Sequence, residues 1–175
     1  IYMLAGQGGN IGVSVGEDGV FLIDDQYAPL TARIRAAVAR LSDRPVRFVL
    51  NTHWHGDHTG GNENLAHAGT VIVAHDHVYE RMTKENFFPA FNDKVPPSPK
   101  AALPVISFND TVTFHLNGHD IHAVHVEHAH TDGDSIVHFR AGNVIHAGDV
   151  WFNGLYPFID SDSGGSLDGV IAAVD

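Results

Sequence analysis

Cysteine is absent from this chain, which excludes disulfides and thiolate metal ligands but leaves the bacterial periplasm and cytoplasm equally open. No apolar run approaches the roughly 18–20 residues needed to cross a bilayer, so no membrane partner is expected. Basic residues are also scarce, since ten Lys and Arg stand against 21 Asp and Glu and give a formal net charge of −11. A charge of this sign repels phosphate backbones, so nucleic acid is not an expected partner.

Histidine is abundant by contrast, with 14 residues in a chain of 175. The hydrophobic fraction of 43% and the charged fraction of 18% are ordinary for a globular protein. This length and composition predict a single domain over residues 1–175, large enough to bury a core. Because the chain begins at Ile1 rather than Met and ends at Asp175 inside an apparent helix, we expect residues to be missing at both ends.

The segment His53-Trp54-His55-Gly56-Asp57-His58 places four groups that can bind a metal within six positions. It follows an apolar run and precedes a glycine pair, which favours an extended strand leading into a loop. Side chains alternate faces in an extended segment, so His53, His55 and Asp57 would share one side. His58 would point elsewhere, where it could serve a second metal together with Asp57. Some close histidine pairs arise by chance in such a chain, but this density of zinc-type ligands predicts a metal site.

Other residues are weaker candidates for the same chemistry. His130 has the best case, because it lies in a polar, glycine-containing loop after a predicted strand. Asp149 lies at the end of a predicted strand, where such sites are built. His75 and His77 open a predicted helix and are interpreted as surface or capping residues. Five histidines lie among the predicted strands of the second half, and most are expected to face solvent: His115, His119, His122, His125 and His128. His128 lies near the candidate site in sequence but is not favoured as a ligand.

The periodicity of the chain alternates between strands and helices. It predicts a helix over residues 29–41 and strands over 46–50 and 111–116. Residues 86–104 contain five prolines and are expected to be irregular. Within that segment, three aromatic residues either form an apolar wall over a substrate or pack in the core: Phe87, Phe88 and Phe91.

Residues 51–62, which read Asn-Thr-His-Trp-His-Gly-Asp-His-Thr-Gly-Gly-Asn, resemble the H-x-H-x-D-H signature of the metallo-β-lactamase superfamily. Residues 22–25 resemble the early strand of that family ending in an Asp, so Asp24 is expected to hydrogen-bond near the metal loop. Residues 130–134 resemble the segment that supplies the third ligand of the first metal. Residues 146–149 resemble the segment whose Asp bridges two metals in glyoxalase II-like members. The resemblance implies an α/β fold, an αββα sandwich with the metal site at one edge between the sheets and with its C-terminal part incomplete.

The resemblance also implies two ligand sets and zinc as the cofactor, with one or two ions per chain and iron as a further possibility. The first set is His53, His55 and His130, and the second is Asp57, His58 and Asp149. The family pattern ends with another histidine downstream of the bridging Asp, whereas the last histidine here is His146. We therefore expect the second metal either to require chain beyond Asp175 or to bind weakly.

The reaction implied by these ligands is hydrolysis, in which a metal-activated hydroxide attacks the carbonyl of a small ester, thioester, lactone or β-lactam. Asp57 is the candidate for orienting the nucleophile and carrying a proton. An Asp at position 149 resembles glyoxalase II and related hydrolases, because lactamase members typically have Cys or Ser there. Two alternatives stay open, a metal-binding fragment without turnover and a mononuclear iron enzyme resembling the persulfide dioxygenases. Besides the acyl substrate, a second copy of the chain is an expected partner, through apolar surface left open by the missing C-terminal elements.

Overall fold

A computed structural model describes residues 1–89 and 92–174, so Phe91 lies outside the described residues. In these ranges the strands, in chain order, are β1 (Tyr2–Leu4), β2 (Ile11–Gly16), β3 (Gly19–Ile23), β4 (Val46–Leu50), β5 (Val71–His75), β6 (Asn86–Phe88), β7 (Asp93–Val95), β8 (Ile106–Phe108), β9 (Thr111–Leu116), β10 (His119–His125), β11 (Ser135–Phe139) and β12 (Val144–His146). The α-helices are α1 (Thr31–Val38), α2 (Gly56–Thr59), α3 (Asn62–His67), α4 (Asp76–Met82) and α5 (Leu167–Val174). No helix in the described ranges is both long and apolar enough to span a membrane.

The strands form two main sheets and a small hairpin. The first sheet has the order β1-β2-β3-β4-β5-β8, and β3, β4, β5 and β8 run parallel to one another. The second sheet is antiparallel, with the order β12-β11-β10-β9. The strands predicted over residues 46–50 and 111–116 are confirmed at both ends.

The first sheet is covered on both faces, as its sequence requires. Every residue of β3 is buried, and its side chains alternate between two cores with the period of two that a strand imposes. Val20 and Leu22 pack against Ile34 of α1 in the outer core. Phe21 and Ile23 belong instead to a core between the sheets.

The second sheet supplies the other half of the inner core, with Ile121, Val137 and Phe139 packed in the same cluster as Phe21. On its outer side, Val170 of α5 packs with Ile136 of β11. The layers therefore run helix, sheet, sheet, helix, which confirms the predicted αββα sandwich.

Two local predictions need correction. The helix predicted over residues 29–41 is shorter, because a 3₁₀ turn occupies Ala28–Leu30 and α1 covers only Thr31–Val38. Residues 86–104 are not wholly irregular, since β6 and β7 pair as an antiparallel hairpin within them.

Candidate metal centre

The histidine-rich motif begins just after β4, where the parallel strands of the first sheet end. The backbone is extended at His55 (φ −61°, ψ 148°) and turns helical at Gly56, where α2 starts. The predicted alternation of faces therefore applies only as far as His55. Asp57 lies in the first turn of α2, with its Oδ2 3.6 Å from Nε2 of His58.

Three of the predicted ligands form one cluster. Ring nitrogens of His53, His55 and His130 lie within 4.8 Å of one another, and all three side chains are buried. His130 comes from the loop between β10 and β11, so the cluster joins the two sheets. Nδ1 of His55 and Nε2 of His130 are only 3.0 Å apart.

The outer nitrogen of each of these two rings is already committed as a hydrogen-bond donor. His130 donates from Nδ1 to the carbonyl oxygen of Phe158 over 2.7 Å, and His55 donates from Nε2 to the carboxylate of Asp160 over 2.9 Å. In the neutral rings the two nitrogens that face each other therefore both present lone pairs. Two lone pairs held 3.0 Å apart repel unless a cation lies between them, so this pair fits a metal ion.

His53 is oriented in the same way through Thr52. The Thr52 hydroxyl donates to Asp24 over 2.8 Å, so its oxygen can accept from Nδ1 of His53 at 3.1 Å. This leaves Nε2 of His53 as a buried lone pair that has no hydrogen-bond partner among the described residues. A buried nitrogen without a partner is costly in a folded protein, and a metal ion would satisfy it.

A second cluster adjoins the first and contains His53, His58 and Asp149. His58 is held by Asp24 through Nδ1 at 2.7 Å, which confirms that Asp24 hydrogen-bonds at the metal loop. Nε2 of His58 lies 3.2 Å from Oδ1 of Asp149, close enough for an ion pair but not aligned as a hydrogen bond. The other carboxylate oxygen of Asp149 lies 3.9 Å from Nε2 of His130, so Asp149 stands between the two clusters.

Burial and neighbouring charges set the protonation of these groups. Burial, reinforced by the adjacent histidines, lowers the pKa of His53 well below its usual value and that of His130 to about 4. Burial alone would also lower the pKa of His58, but the carboxylates of Asp24 and Asp149 outweigh it and raise that pKa well above normal. A proton on His58 therefore occupies the second cluster in the metal-free protein, and a metal ion binding there would displace it.

The structure thus brings together all the predicted ligands except Asp57, which lies at the rim of the second cluster with its side chain 26% exposed. Sequence reasoning missed Asp160, which holds His55 from 105 positions away. A single Asp in a polar stretch gives no signal of that contact.

Aromatic side chains flank the first cluster. Phe88 stacks on Trp54 at 5.1 Å between ring centroids and lies 5.2 Å from the ring of His55. Phe88 thus packs in a core with Trp54, which is the second of the two alternatives that the sequence left open, and it also borders a candidate ligand. Phe87 is half exposed, and Phe152 lies on the other side, 6.5 Å from the ring of His130.

Comparison with known proteins agrees with this geometry. A family model described as the metallo-beta-lactamase superfamily matches residues 5–174. A hydroxyacylglutathione hydrolase from Polaromonas sp. is 33% identical over 130 residues, which make up 73% of this chain and 47% of that protein. The chain thus spans about half the length of this curated relative.

Solved structures share the fold at lower identity. A metallo-β-lactamase with an HARLDQ motif from Cronobacter sakazakii superposes with a TM-score of 0.75 at 23% identity, covering 98% of this chain and 68% of that one. A metallo-β-lactamase from Pontibacter korlensis gives a TM-score of 0.75 at 18% identity, covering 99% and 78% respectively.

Proposed function

Because the chain belongs to the metallo-β-lactamase superfamily, we propose that it is a zinc-dependent hydrolase of small acyl compounds. The observation that carries this proposal is the pair of facing nitrogens on His55 and His130, 3.0 Å apart with both outer nitrogens committed as donors. We place esters and thioesters ahead of lactones and β-lactams as substrates. The support for that order is Asp149, together with the relative named as a hydroxyacylglutathione hydrolase.

In this proposal the chain offers two adjoining sets of ligands. His53, His55 and His130 would hold one zinc ion, and His58 and Asp149, with Asp57 beside them, would hold a second. When bound, zinc supplies Lewis acidity toward a water molecule and toward the substrate carbonyl, and neutral imidazole ligands leave its charge largely uncompensated.

Asp57 is the group we assign to the proton of the attacking water. Its carboxylate is partly exposed at the rim of the clusters, so it can accept a hydrogen bond from a water that approaches from solvent. Asp24 and Asp160 act differently, because each is buried against the outer nitrogen of a histidine. Their role is to hold the rings of His58 and His55 in one orientation, which a carboxylate behind a metal-binding histidine commonly does.

A cavity beside the second cluster offers room for the acyl group. Its volume is about 360 Å³, and its lining includes Gly9, His58, Asp149 and Phe152. Pockets of a few hundred Å³ suit small molecules. A small acyl compound, rather than a polymer, is therefore the substrate class that we propose.

A mononuclear iron enzyme is the second candidate, favoured by one observation. His53, His58 and Asp149 form a set of two imidazoles and one carboxylate, the ligand type of non-haem iron oxygenases. Zinc remains the first candidate metal because the neighbouring cluster adds the imidazoles of His55 and His130, which a mononuclear iron site of this kind does not need.

The test combines metal analysis with a substrate panel of esters, thioesters, lactones and a chromogenic β-lactam. We expect zinc in the purified protein and zinc-dependent hydrolysis of at least one ester or thioester. Iron with oxygen uptake would support the second candidate instead. Bound metal without turnover on the whole panel would contradict the enzyme proposal and indicate a metal-binding protein.

His130→Asn and His128→Asn provide a matched pair for this test. His130 belongs to the first cluster, whereas the exposed His128 two positions earlier donates to the carbonyl of Gly164. Asn tolerates the left-handed backbone at His128 (φ 53°). We expect His130→Asn to lose the zinc ion of the first cluster and hydrolysis, and His128→Asn to retain both.

A second copy of the chain remains a proposed partner. Apolar side chains in the loop after β12 are exposed, among them Trp151, Leu155 and Tyr156. Light scattering across a concentration series tests this proposal, and a monomer at every concentration would contradict it.

A further inference from the structure

A third histidine cluster lies outside the centre described above. His75 ends β5, His77 lies in the first turn of α4, and His125 ends β10. A ring nitrogen of each lies within 4.8 Å of the other two. The rings of His75 and His125 stack at 3.6 Å, so the cluster joins the first sheet to the second.

These positions differ from the sequence interpretation. His75 does cap α4, since its Nδ1 accepts from the backbone N–H of His77 at 3.2 Å, but its side chain is buried rather than at the surface. His125 follows Ile121 and Ala123 on the inward face of β10, so it points between the sheets instead of toward solvent.

The hydrogen bonds of two rings fix which nitrogen is free. His77 donates from Nδ1 to the carbonyl oxygen of Asp132 over 2.7 Å, and His125 donates from Nδ1 to the carbonyl oxygen of Asp134 over 2.8 Å. A carbonyl can only accept, so Nε2 of each neutral ring is left with a lone pair. This is the arrangement that holds metal-binding histidines in other proteins, with the outer N–H on a backbone carbonyl and the inner nitrogen turned to the metal.

The surroundings of the cluster attract a cation. Asp76 acts on His75, and Glu127 and Asp132 act on His125, through their negative charge, although the carboxylate of Asp132 is itself paired with Arg81. Burial and the neighbouring imidazoles lower the pKa of His75 to about 4 and also lower that of His125. These two rings are therefore neutral at pH 7 and need release no proton to bind a metal.

We propose that His75, His77 and His125 bind an accessory divalent transition-metal ion of the zinc, nickel or copper class. Imidazole nitrogens are suitable ligands for these metals. His77 and His125 supply their free Nε2 atoms. Because the rings of His75 and His125 stack face to face, the ring of His75 must turn to direct a lone pair at the metal, and it gives up its long hydrogen bond with the N–H of His77 to do so. This site is separate from the proposed catalytic centre, although the loop of residues 130–134 contributes to both.

Zinc binding to the whole chain tests the proposal directly. Protein dialysed at saturating free zinc is analysed for zinc per chain in the wild type, His77→Gln, His125→Gln and the control His122→Gln. His122 lies on the same strand, but its ring bonds the hydroxyl of Thr113 outside the cluster. We expect one equivalent fewer in both cluster variants than in the wild type and the control.

A measurement on the unaltered chain covers the case in which a variant fails to fold. Long-range ¹H–¹⁵N spectra of histidine-labelled protein report each ring nitrogen during a zinc titration. We expect the Nε2 signals of His77 and His125 to shift as zinc binds, while their Nδ1 signals remain those of protonated nitrogens. Unshifted Nε2 signals at saturating zinc, or equal zinc content in wild type and folded His125→Gln, would overturn the proposal.

Discussion

Each histidine of the candidate centre has one ring nitrogen fixed by the protein and the other turned inward. The fixing partners are a carboxylate for His55 and His58, a carbonyl for His130 and a hydroxyl for His53. For His53, His55 and His130 these partners determine the tautomer, so three lone pairs converge before any metal arrives, whereas His58 must first release the proton on its inner nitrogen. The geometry therefore favours metal binding without rearrangement of the rings.

Gly9 lies directly against the ring of His58 in the second cluster, where no larger residue fits without a shift. A Cβ added there would lie 2.6 Å from Nε2 of His58, well inside contact distance, and would also meet Cε1. Gly9→Ala must therefore displace either the loop or the ring of His58. We expect the zinc content to fall by one ion per chain relative to the wild type, as measured by metal analysis of dialysed protein.

Gly56→Ala is the control for that experiment. A Cβ at Gly56 meets no heavy atom within 4 Å, although the residue lies between His55 and Asp57 in the same motif. Its zinc content should match that of the wild type. A Gly9→Ala protein that retained both ions with wild-type affinity would contradict the assignment of His58 to the second site.

The raised pKa of the buried Asp134 side chain makes the free energy of unfolding of the metal-free protein depend on pH. Burial raises the pKa of Asp134 from its usual 3.8 to about 7, despite hydrogen bonds from Thr131 that oppose the shift. The folded state thus holds a proton that the unfolded state releases, so the contribution of Asp134 to stability is full below about pH 4 and is lost as the pH rises through about 7.

Asp134→Asn should remove this contribution, because an amide does not titrate. We expect the free energy of unfolding of chelator-treated protein to fall less steeply between pH 4 and pH 7 in the variant, measured by urea denaturation. The quantity to compare is the slope of the unfolding free energy against pH. Its absolute value is not suitable, because the variant also loses a hydrogen-bond acceptor for Thr131. Equal slopes in both proteins would show that Asp134 is ionised in the folded state throughout.

At the residue scale, the sequence predicted which side chains converge and, through the family resemblance, that Asp24 hydrogen-bonds near them, but it did not predict the other groups that hold them. The six-residue motif identifies His53, His55 and His58 because their ligand types are dense and local. Asp160 and the carbonyl of Phe158 act across more than 25 positions of chain, through loops whose path depends on packing. Local patterns contain no information about such contacts.

At the element scale, an ion pair holds α4 against the loop that contains His130. Arg81 of α4 donates from Nε and a terminal nitrogen to the two carboxylate oxygens of Asp132, over 2.7 and 2.6 Å. Arg81→Lys cannot reproduce this two-pronged contact, so we expect unfolding to become easier by about 1–2 kcal/mol in chemical denaturation. We also expect a lower zinc affinity at the neighbouring first cluster.

The ion pair between Lys94 and Glu85 is the control at this scale. It joins two exposed side chains at 3.0 Å across the β6–β7 hairpin region. Lys94→Ala should change the free energy of unfolding by less than about 0.5 kcal/mol, because exposed pairs contribute little. A similarly small change in the free energy of unfolding for Arg81→Lys would contradict the role of Arg81 in holding α4 against the loop of His130.

The elements themselves were predictable to different degrees. The strands predicted over residues 46–50 and 111–116 are β4 and β9, because short apolar or alternating runs between turn residues have a clear pattern. The hairpin of β6 and β7 was missed since its strands are three residues each and stand among prolines. The end of α1 was misplaced because Leu41 continues the apolar spacing after the helix has ended.

At the scale of the whole molecule, the candidate centre draws ligands from both sheets. His53 and His55 follow a strand of the first sheet, whereas His130 and Asp149 follow strands of the second. A metal bound to this set cross-links the two halves of the sandwich and binds the folded state alone. Its removal should therefore destabilise the entire fold and not only the site.

Thermal unfolding with and without a chelator measures that effect. Free zinc at 100 times its dissociation constant should stabilise the fold by about 2.7 kcal/mol and raise Tm accordingly. The rise should be smaller in His130→Asn, which lacks one ligand of the first cluster, and unchanged in His128→Asn. An unchanged Tm on zinc addition to chelator-treated wild-type protein would contradict the cross-link.

The most direct test of the account is hydrolysis measured during a zinc titration of metal-free protein. A panel of esters and thioesters is assayed at each step, and bound zinc is counted in the same samples. We predict that hydrolysis appears as zinc enters the cluster of His53, His55 and His130, and that it saturates when both adjoining sites are filled. Full zinc loading of these residues without hydrolysis of any acyl substrate would contradict it.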